Sequence, residues 1–235
     1  MKKVFKFILK LLLILFVICF VIVGLYVIKG HYMYETALKE SPIEEKIAEI
    51  KSKDNYTTLE EVPKIYKDAV IAVEDHRFYD HSGIDILAIL GAVINDLSNG
   101  KLVQGGSTIT QQICKNIYFT QDRRLERKVA ETFMAAKLED TCSKDEILEL
   151  YINTCFYGNN CYTLKEASNL YYKKTPIELS DFEATLIAGI PNAPSVYNPI
   201  HSEKLAKERQ KQVLYAMVKY GYITKEERDK ILDEQ

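Results

Sequence analysis

Glu74-Asp75-His76-Arg77-Phe78-Tyr79-Asp80-His81-Ser82-Gly83 gathers acids, imidazoles and aromatic rings directly behind the apolar run Ile71-Ala72-Val73. A carboxylate at the end of an apolar helix is partly desolvated, which raises its pKa towards the working range of a general base. Composition alone slightly favours a solvated helix end with ordinary ion pairs. A second stretch, Gly105-Gly106-Ser107-Thr108-Ile109-Thr110-Gln111-Gln112-Ile113-Cys114-Lys115-Asn116, sets small residues before a helix start. Free N–H groups and hydroxyls there suit an anion or a sugar. Gln111, Gln112 and Lys115 fall within about one turn, so two amides and an ammonium share a side. The Gly-Lys-Ser/Thr of a nucleotide P-loop is missing, which disfavours ATP or GTP. Read plainly, the segment is a polar helix. The third stretch holds Arg123, Arg127 and Lys128 ahead of Glu131, with Lys128 and Glu131 three apart on one helix face. Several cations of this kind are what a diphosphate leaving group requires, because charge develops on it in the transition state. A salt-bridged surface helix is the commoner meaning of such a pattern.

The elements that must carry these residues are almost all helical. Glu61–Asp75 has an apolar stripe at Ile65, Ala69, Val70 and Val73 behind Pro63, and it delivers Glu74 to its far end. A loop over His76–Gly83 leads to an apolar helix from Ile84 to Leu97, closed by Asn99-Gly100. Ser107 or Thr108 is placed to cap the helix that runs through Asn116. Apolar residues at Leu125, Val129, Phe133 and Ala136 predict a helix over Arg124–Leu138, whose other faces hold Arg127, Lys128 and Glu131. Further helices are predicted over Lys144–Asn153, Leu164–Tyr172, Ser180–Ala188, Ser202–Lys219 and Thr224–Asp233, with Ser180 or Asp181 and Thr224 as caps. Strand-like alternation is scarce, and no repeat or low-complexity tract is present.

The 235 residues suffice for one cored domain and an anchor. From Leu11 to Ile28 the chain carries no charge, and roughly 20 such residues cross a ~30 Å hydrocarbon core. The run exceeds a signal-peptide core and no A-x-A-like site follows it, so it reads as an anchor. Cys19 reads as a membrane-embedded side chain. Lys2, Lys3, Lys6 and Lys10 precede the span, and the positive-inside rule then puts the N-terminus in the cytoplasm and the body outside. Tyr26, Tyr32 and Tyr34 cluster at the outer end like an interfacial belt. Residues 31–235 hold 26 basic against 33 acidic side chains, which argues against nucleic acid as a partner. The five cysteines form no Cys-x-x-Cys pair, so a zinc site is not expected, and the redox state of Cys142, Cys155 and Cys161 stays open. The resulting division is a cytoplasmic tip and anchor over 1–30, a membrane-proximal stalk over 31–60 that includes a short charged helix from Pro42 to Lys53, and a globular domain over 61–235.

Taken together, the three stretches resemble the peptidoglycan glycosyltransferase family of class A penicillin-binding proteins and their monofunctional relatives. Glu74, Asp75, Phe78, His81 and Gly83 meet the pattern Glu-Asp-x-x-Phe-x-x-His-x-Gly, Gly105–Asn116 meets Gly-Gly-Ser-Thr-Ile-Thr-Gln-Gln-x-x-Lys-Asn, and Arg127, Lys128 and Glu131 meet Arg-Lys-x-x-Glu. Two later blocks resemble Lys144–Tyr172 and Ala188–Pro199; Tyr162-Thr163-Leu164, Cys155 and Cys161 depart from the usual pattern there. The resemblance implies a mainly α, lysozyme-like, two-lobed helical domain with an N-terminal transmembrane helix, its smaller lobe helping to embed a lipid substrate. It implies polymerisation of lipid II into β-1,4-linked glycan on the extracytoplasmic face, with Glu74 as general base and Glu131 orienting or stabilising the leaving group. Lys115, Arg123 and Lys128 would bind the diphosphate and Ser107 and Gln112 would line the donor side; Asp75, Phe78, His81, Thr108, Gln111, Asn116 and Arg127 complete the expected substrate contacts. A divalent cation, Mg or Mn, is a candidate at Glu131. Lipid II, the growing glycan strand, the bilayer and other cell-wall synthesis proteins are the implied partners. No transpeptidase domain is expected, since the chain stops at Gln235 and Ser98-Asn99-Gly100-Lys101 has no companion motifs. The rivals are a lysozyme-like hydrolase or lytic transglycosylase, which also uses a Glu in a helical fold, and a catalytically inert scaffold.

Overall fold

The computed structural model describes residues 2–99, 106–119 and 124–234. Among them the architecture is helical throughout, apart from one isolated bridge between Ser82 and Ile84. The first helix, α1 (Lys2–Glu40), is followed by α2 (Ile43–Lys51), α3 (Lys64–Glu74), α4 (Ile86–Asn99), α5 (Ile109–Tyr118), α6 (Leu125–Thr141) and α7 (Lys144–Ile152). Then come α8 (Leu164–Tyr172), α9 (Asp181–Gly189), α10 (Glu203–Lys219) and α11 (Lys225–Asp233). The mainly α expectation therefore holds. The boundaries agree with side-chain caps: Thr108, Ser143, Ser180 and Thr224 each accept a backbone N–H three residues on, and Gln111, Glu146, Glu183 and Glu227 close the reciprocal bond. Between the two cap candidates ahead of α5, Thr108 is the one that caps. The predicted closure of α4 at Gly100 lies outside the described residues, as do Gly105 and Lys101.

At 39 residues, α1 is about 58 Å long and is apolar enough to cross a membrane. Its side chains from Val4 to Ile22 stand exposed, as they must if lipid is their solvent. The helix does not break at the end of the apolar run but continues to Glu40, and this outer part packs on α6. Gly30 sits at the crossing, where an added Cβ would lie 2.5 Å from Val129 Cβ and 2.8 Å from the Glu126 carbonyl. Only a residue without a side chain allows so close an approach. Beside it His31, Tyr34 and Phe133 pack ring against ring, with centroids 5.0 to 5.8 Å apart. The anchor and α6 thus form one unit.

The core of the remaining chain gathers around α3, whose Tyr66, Ala69, Val70, Ile71 and Ala72 are buried against α9 and α10, while α5 packs between α6 and α7. Tyr66, Tyr151 and Tyr157 are all fully buried, and the hydroxyls of Tyr66 and Tyr157 satisfy one another at 2.7 Å. Packed between α9 and α10, α3 is a rigid post, and Glu74 stands at its tip. The first turn of α4, by contrast, leaves Ile86, Leu87 and Leu90 more than half exposed. An apolar patch of that kind on a monomer marks a surface that meets something other than water.

Candidate active site

Glu74 closes α3, and Asp75 caps it with non-helical torsions, φ -159 and ψ 73, that end the helix. The Glu74 carboxylate accepts a hydrogen bond from Gln112 Nε2 on α5 at 2.9 Å, and Arg209 Nη2 on α10 approaches its other oxygen at 3.5 Å. Among the described residues that second oxygen has no hydrogen-bond partner, which leaves a lone pair to receive a proton. The side chain is 8% exposed. Burial pushes the Glu74 carboxyl above its ordinary value, against the opposing pull of the Gln112 bond, the Arg209 and Lys115 cations, and with a small addition from Asp75. A carboxylate so poised is a stronger base than an exposed one.

A cavity of about 780 Å³ opens over this group. Glu74, Asp75 and His76 form one wall, Gly106, Ser107 and Thr108 another, and the start of α4 and the end of α10 complete it. Ser107 is the link to the third sequence block, because its hydroxyl accepts a hydrogen bond from Lys128 Nζ at 2.7 Å. Lys128 also donates to Glu131 Oε2 at 3.0 Å, and Arg127 bonds the other oxygen of Glu131. Glu131 is 1% exposed, and a carboxylate so deep is tolerable only because it is doubly paired. Glu74 thus lines the cavity directly and Lys128 is tied to its wall through Ser107, although 54 residues of sequence separate the two.

Several expected substrate contacts also act as braces. Asp75 is buried, accepts from His81 Nε2 at 2.9 and 3.0 Å, and receives the Ile109 N–H of α5 at 3.0 Å. It ties the end of α3 to the start of α5. Thr108 donates to the Gly83 carbonyl at 2.7 Å while Gln111 closes its capping box and donates onward to Thr132 at 3.3 Å. Gly83 has φ +76, and an added Cβ would press on the Ala135 backbone at 3.1 Å, so glycine is required on both counts. Phe78 is fully buried beneath Lys144, whose ammonium lies 4.5 Å from the ring centroid, so it cannot reach a ligand in the cavity. Asn116 donates to the Thr154 carbonyl at 3.1 Å and joins α5 to the segment after α7. Gln112 and Lys115 do face the base, and Arg123 lies outside the described residues.

A divalent cation, a candidate at Glu131, does not fit the arrangement there: both oxygens already face the cations of Arg127 and Lys128, which would repel a metal and would have to be displaced by it. Asp75, His81 and Asp85 bring one ligand atom each within 4.8 Å of one another. Their oxygens are likewise taken, Asp85 by Arg77 and by the Ala88 N–H at 2.7 Å, and Asp75 by His81 and Ile109. Arg209 was not anticipated from sequence. It lies beyond the last motif block, in a helix dense with ordinary charged residues, and no local spacing marks it as the partner of Glu74.

Residues 42–218 match the family model described as Transglycosylase. Penicillin-binding protein 1A of Neisseria flavescens is 44% identical over 180 residues, which is 77% of this chain and 23% of that protein. Penicillin-binding protein 1A of Aquifex aeolicus is 42% identical over 172 residues, 73% of this chain and 24% of that one. A crystal structure of penicillin-binding protein 1A from Haemophilus influenzae aligns with a TM-score of 0.44 and 27% identity, covering 77% of this chain and 17% of that one. The chain spans about a quarter of the length of the curated relatives it matches.

Proposed function

The chain belongs to the transglycosylase family, the peptidoglycan glycosyltransferases, and from that premise we propose that it polymerises lipid II into β-1,4-linked glycan strands with release of undecaprenyl pyrophosphate. The observation that carries this reading is the single cavity lined by both Glu74 and Ser107, the latter bonded to Lys128. Glu74 takes the proton from the 4-hydroxyl of the acceptor's N-acetylglucosamine as that oxygen bonds to C1 of the donor's N-acetylmuramic acid. The C1–O bond to the diphosphate breaks in the same displacement, and the linkage inverts from α to β. The free lone pair of Glu74 and its raised pKa support the role of base.

Charge that develops on the departing diphosphate is met by Lys128, with Lys115 nearby and Arg123 completing the set by its position in the motif. Arg127 holds Glu131, and Glu131 in turn orients Lys128, so the buried acid acts on the leaving group through the lysine. Asp75, Phe78, His81, Thr108, Gln111 and Asn116 act as positioning residues that fix the base and the start of α5 relative to each other.

The anchor supports the same chemistry. Docking of α1 on α6 holds the cationic helix beside the outer end of the span, at the height where a lipid-borne diphosphate leaves the bilayer. The exposed apolar turn of α4 supplies a second surface for lipid. Substrates and product tethered in one membrane are concentrated near the cleft. With four lysines ahead of the span, the catalytic domain faces outside the cell and the N-terminus the cytoplasm. Residues 1–30 serve as tip and anchor, 31–60 as the membrane-proximal segment and 61–235 as the catalytic domain, which works beside other cell-wall synthesis proteins.

The deciding experiment supplies the purified protein with lipid-linked disaccharide and, separately, with finished cell wall. Polymer from the first and no release from the second is expected. Soluble fragments from finished wall, without polymer, would instead make the chain a hydrolase.

A further inference from the structure

The end of α10 contributes a cation to the cavity that the proposed mechanism leaves unused. Lys219 and Tyr220 line the same cavity as Ser107 and lie one and two residues past the stretch that matches the family model. The Tyr220 ring lies flat on His76, with centroids 4.0 Å apart and planes 15° apart, and His76 follows the base by two residues. Lys219 Nζ donates to the Tyr220 hydroxyl at 3.1 Å and stands 4.8 Å from the ring centroid. The exposed ammonium is thus linked, through one aromatic stack, to the segment that carries Glu74.

The other charges around the cavity are already matched. Asp85 is held by Arg77, Asp75 by His81 and Glu74 by Arg209. Among the described residues no carboxylate lies within ion-pair reach of Lys219, and two of its three N–H donors remain after the bond to Tyr220. We propose that Lys219, held by Tyr220 on His76, is a specificity-determining residue that binds an acidic group of the substrate in the cavity, a carboxylate of its peptide substituent. The identification of the substrate rests on the glycosyltransferase reading above. A carboxylate is favoured over the diphosphate because the helix docked on the anchor is α6, whereas α10 packs on α3, α9 and α11. The lipid's phosphates are therefore served from α6, and Lys219 reaches a part of the substrate further from its lipid.

The test uses the full chain in detergent with two lipid-linked disaccharide peptides, one with free carboxylates and one with the same carboxylates amidated. Losing one charge-assisted bond in a cavity corresponds to about tenfold in binding. Lys219→Ala is expected to raise KM about tenfold for the free acid, with kcat and melting temperature held, and to leave the amidated substrate nearly unchanged. Lys219→Arg should restore the free-acid KM. An equal rise for both substrates would overturn the carboxylate assignment and move the contact to the diphosphate. Unchanged KM, or a fall in kcat alone, would overturn the binding role altogether. Equilibrium binding of the same two lipids gives the comparison without turnover, so a wild-type protein that makes no polymer refutes the reaction and still leaves Lys219 testable.

Discussion

Glu74→Gln removes the proton acceptor of the proposed reaction while leaving size and shape almost intact. The Gln side-chain oxygen can still accept from Gln112 Nε2, which lies 2.9 Å from Glu74 Oε2, so the link between α3 and α5 is retained. What disappears is the charge facing Arg209 and the lone pair with no partner. General-base assistance contributes on the order of 10²–10⁴ in rate, or about 3–5 kcal/mol of barrier. Polymer formation from lipid-linked disaccharide should therefore fall at least about a hundredfold in kcat, with lipid binding preserved. Stability should move the other way. Burial raises the folded-state pKa of Glu74, so its neutral form suits the site and its ionised form costs stability as pH rises through that pKa. The Gln variant should accordingly melt at or above the wild-type temperature at neutral and alkaline pH, and the gap should close as pH falls into the ordinary carboxylate range. Thermal melts across pH beside the polymerisation assay check both halves. Activity within a few per cent of normal kinetics would be too high for the loss of a base, and a melting point lowered in step with activity would mark Glu74 as structural; either result refutes the reasoning.

Arg209→Gln removes a cation that pulls the Glu74 pKa down, so the rising limb of kcat/KM against pH should move to higher pH; a limb that stays where it was would detach Arg209 from the base. Lys115→Ala should lower turnover and donor binding with little change in melting temperature, because among the described residues this lysine makes no ion pair, and equal losses of both would make it structural. Gly30→Leu forces a side chain into Val129 at the crossing of α1 and α6, and overpacking of this kind costs about 1–3 kcal/mol. It should lower the melting temperature in detergent and reduce polymer yield from membrane-borne substrate; an unchanged melt would show that the two helices separate freely.

The helices were legible because their signals are local. Apolar spacing on α3 and α6, and capping pairs such as Ser180 with Glu183, act within one or two turns and need no partner from elsewhere in the chain. The three motif stretches were legible for the same reason. Their division of labour was not. Asp75, Thr108 and Gln111 look as chemical in sequence as Glu74 and Gln112, yet their polar atoms are spent on the Ile109 N–H, the Gly83 carbonyl and Thr132. Whether Glu131 is open to a divalent cation was not legible either, since sequence supplies the acid and its neighbours but not the fact that both oxygens already face Arg127 and Lys128.

The order of residues by itself determined that the chain is helical, that its first helix is long and apolar enough for a bilayer, and which acids and cations are available. Folding decided that Glu74 on α3, Ser107 before α5 and Lys219 on α10 line one cavity, that Lys128 on α6 bonds Ser107 and Arg209 faces Glu74, and that Gly30 lets the anchor touch the cationic helix. The physical reason is range: caps and helical periodicity act over a few residues, whereas burial, charge pairing and close packing depend on distances that only the assembled fold sets.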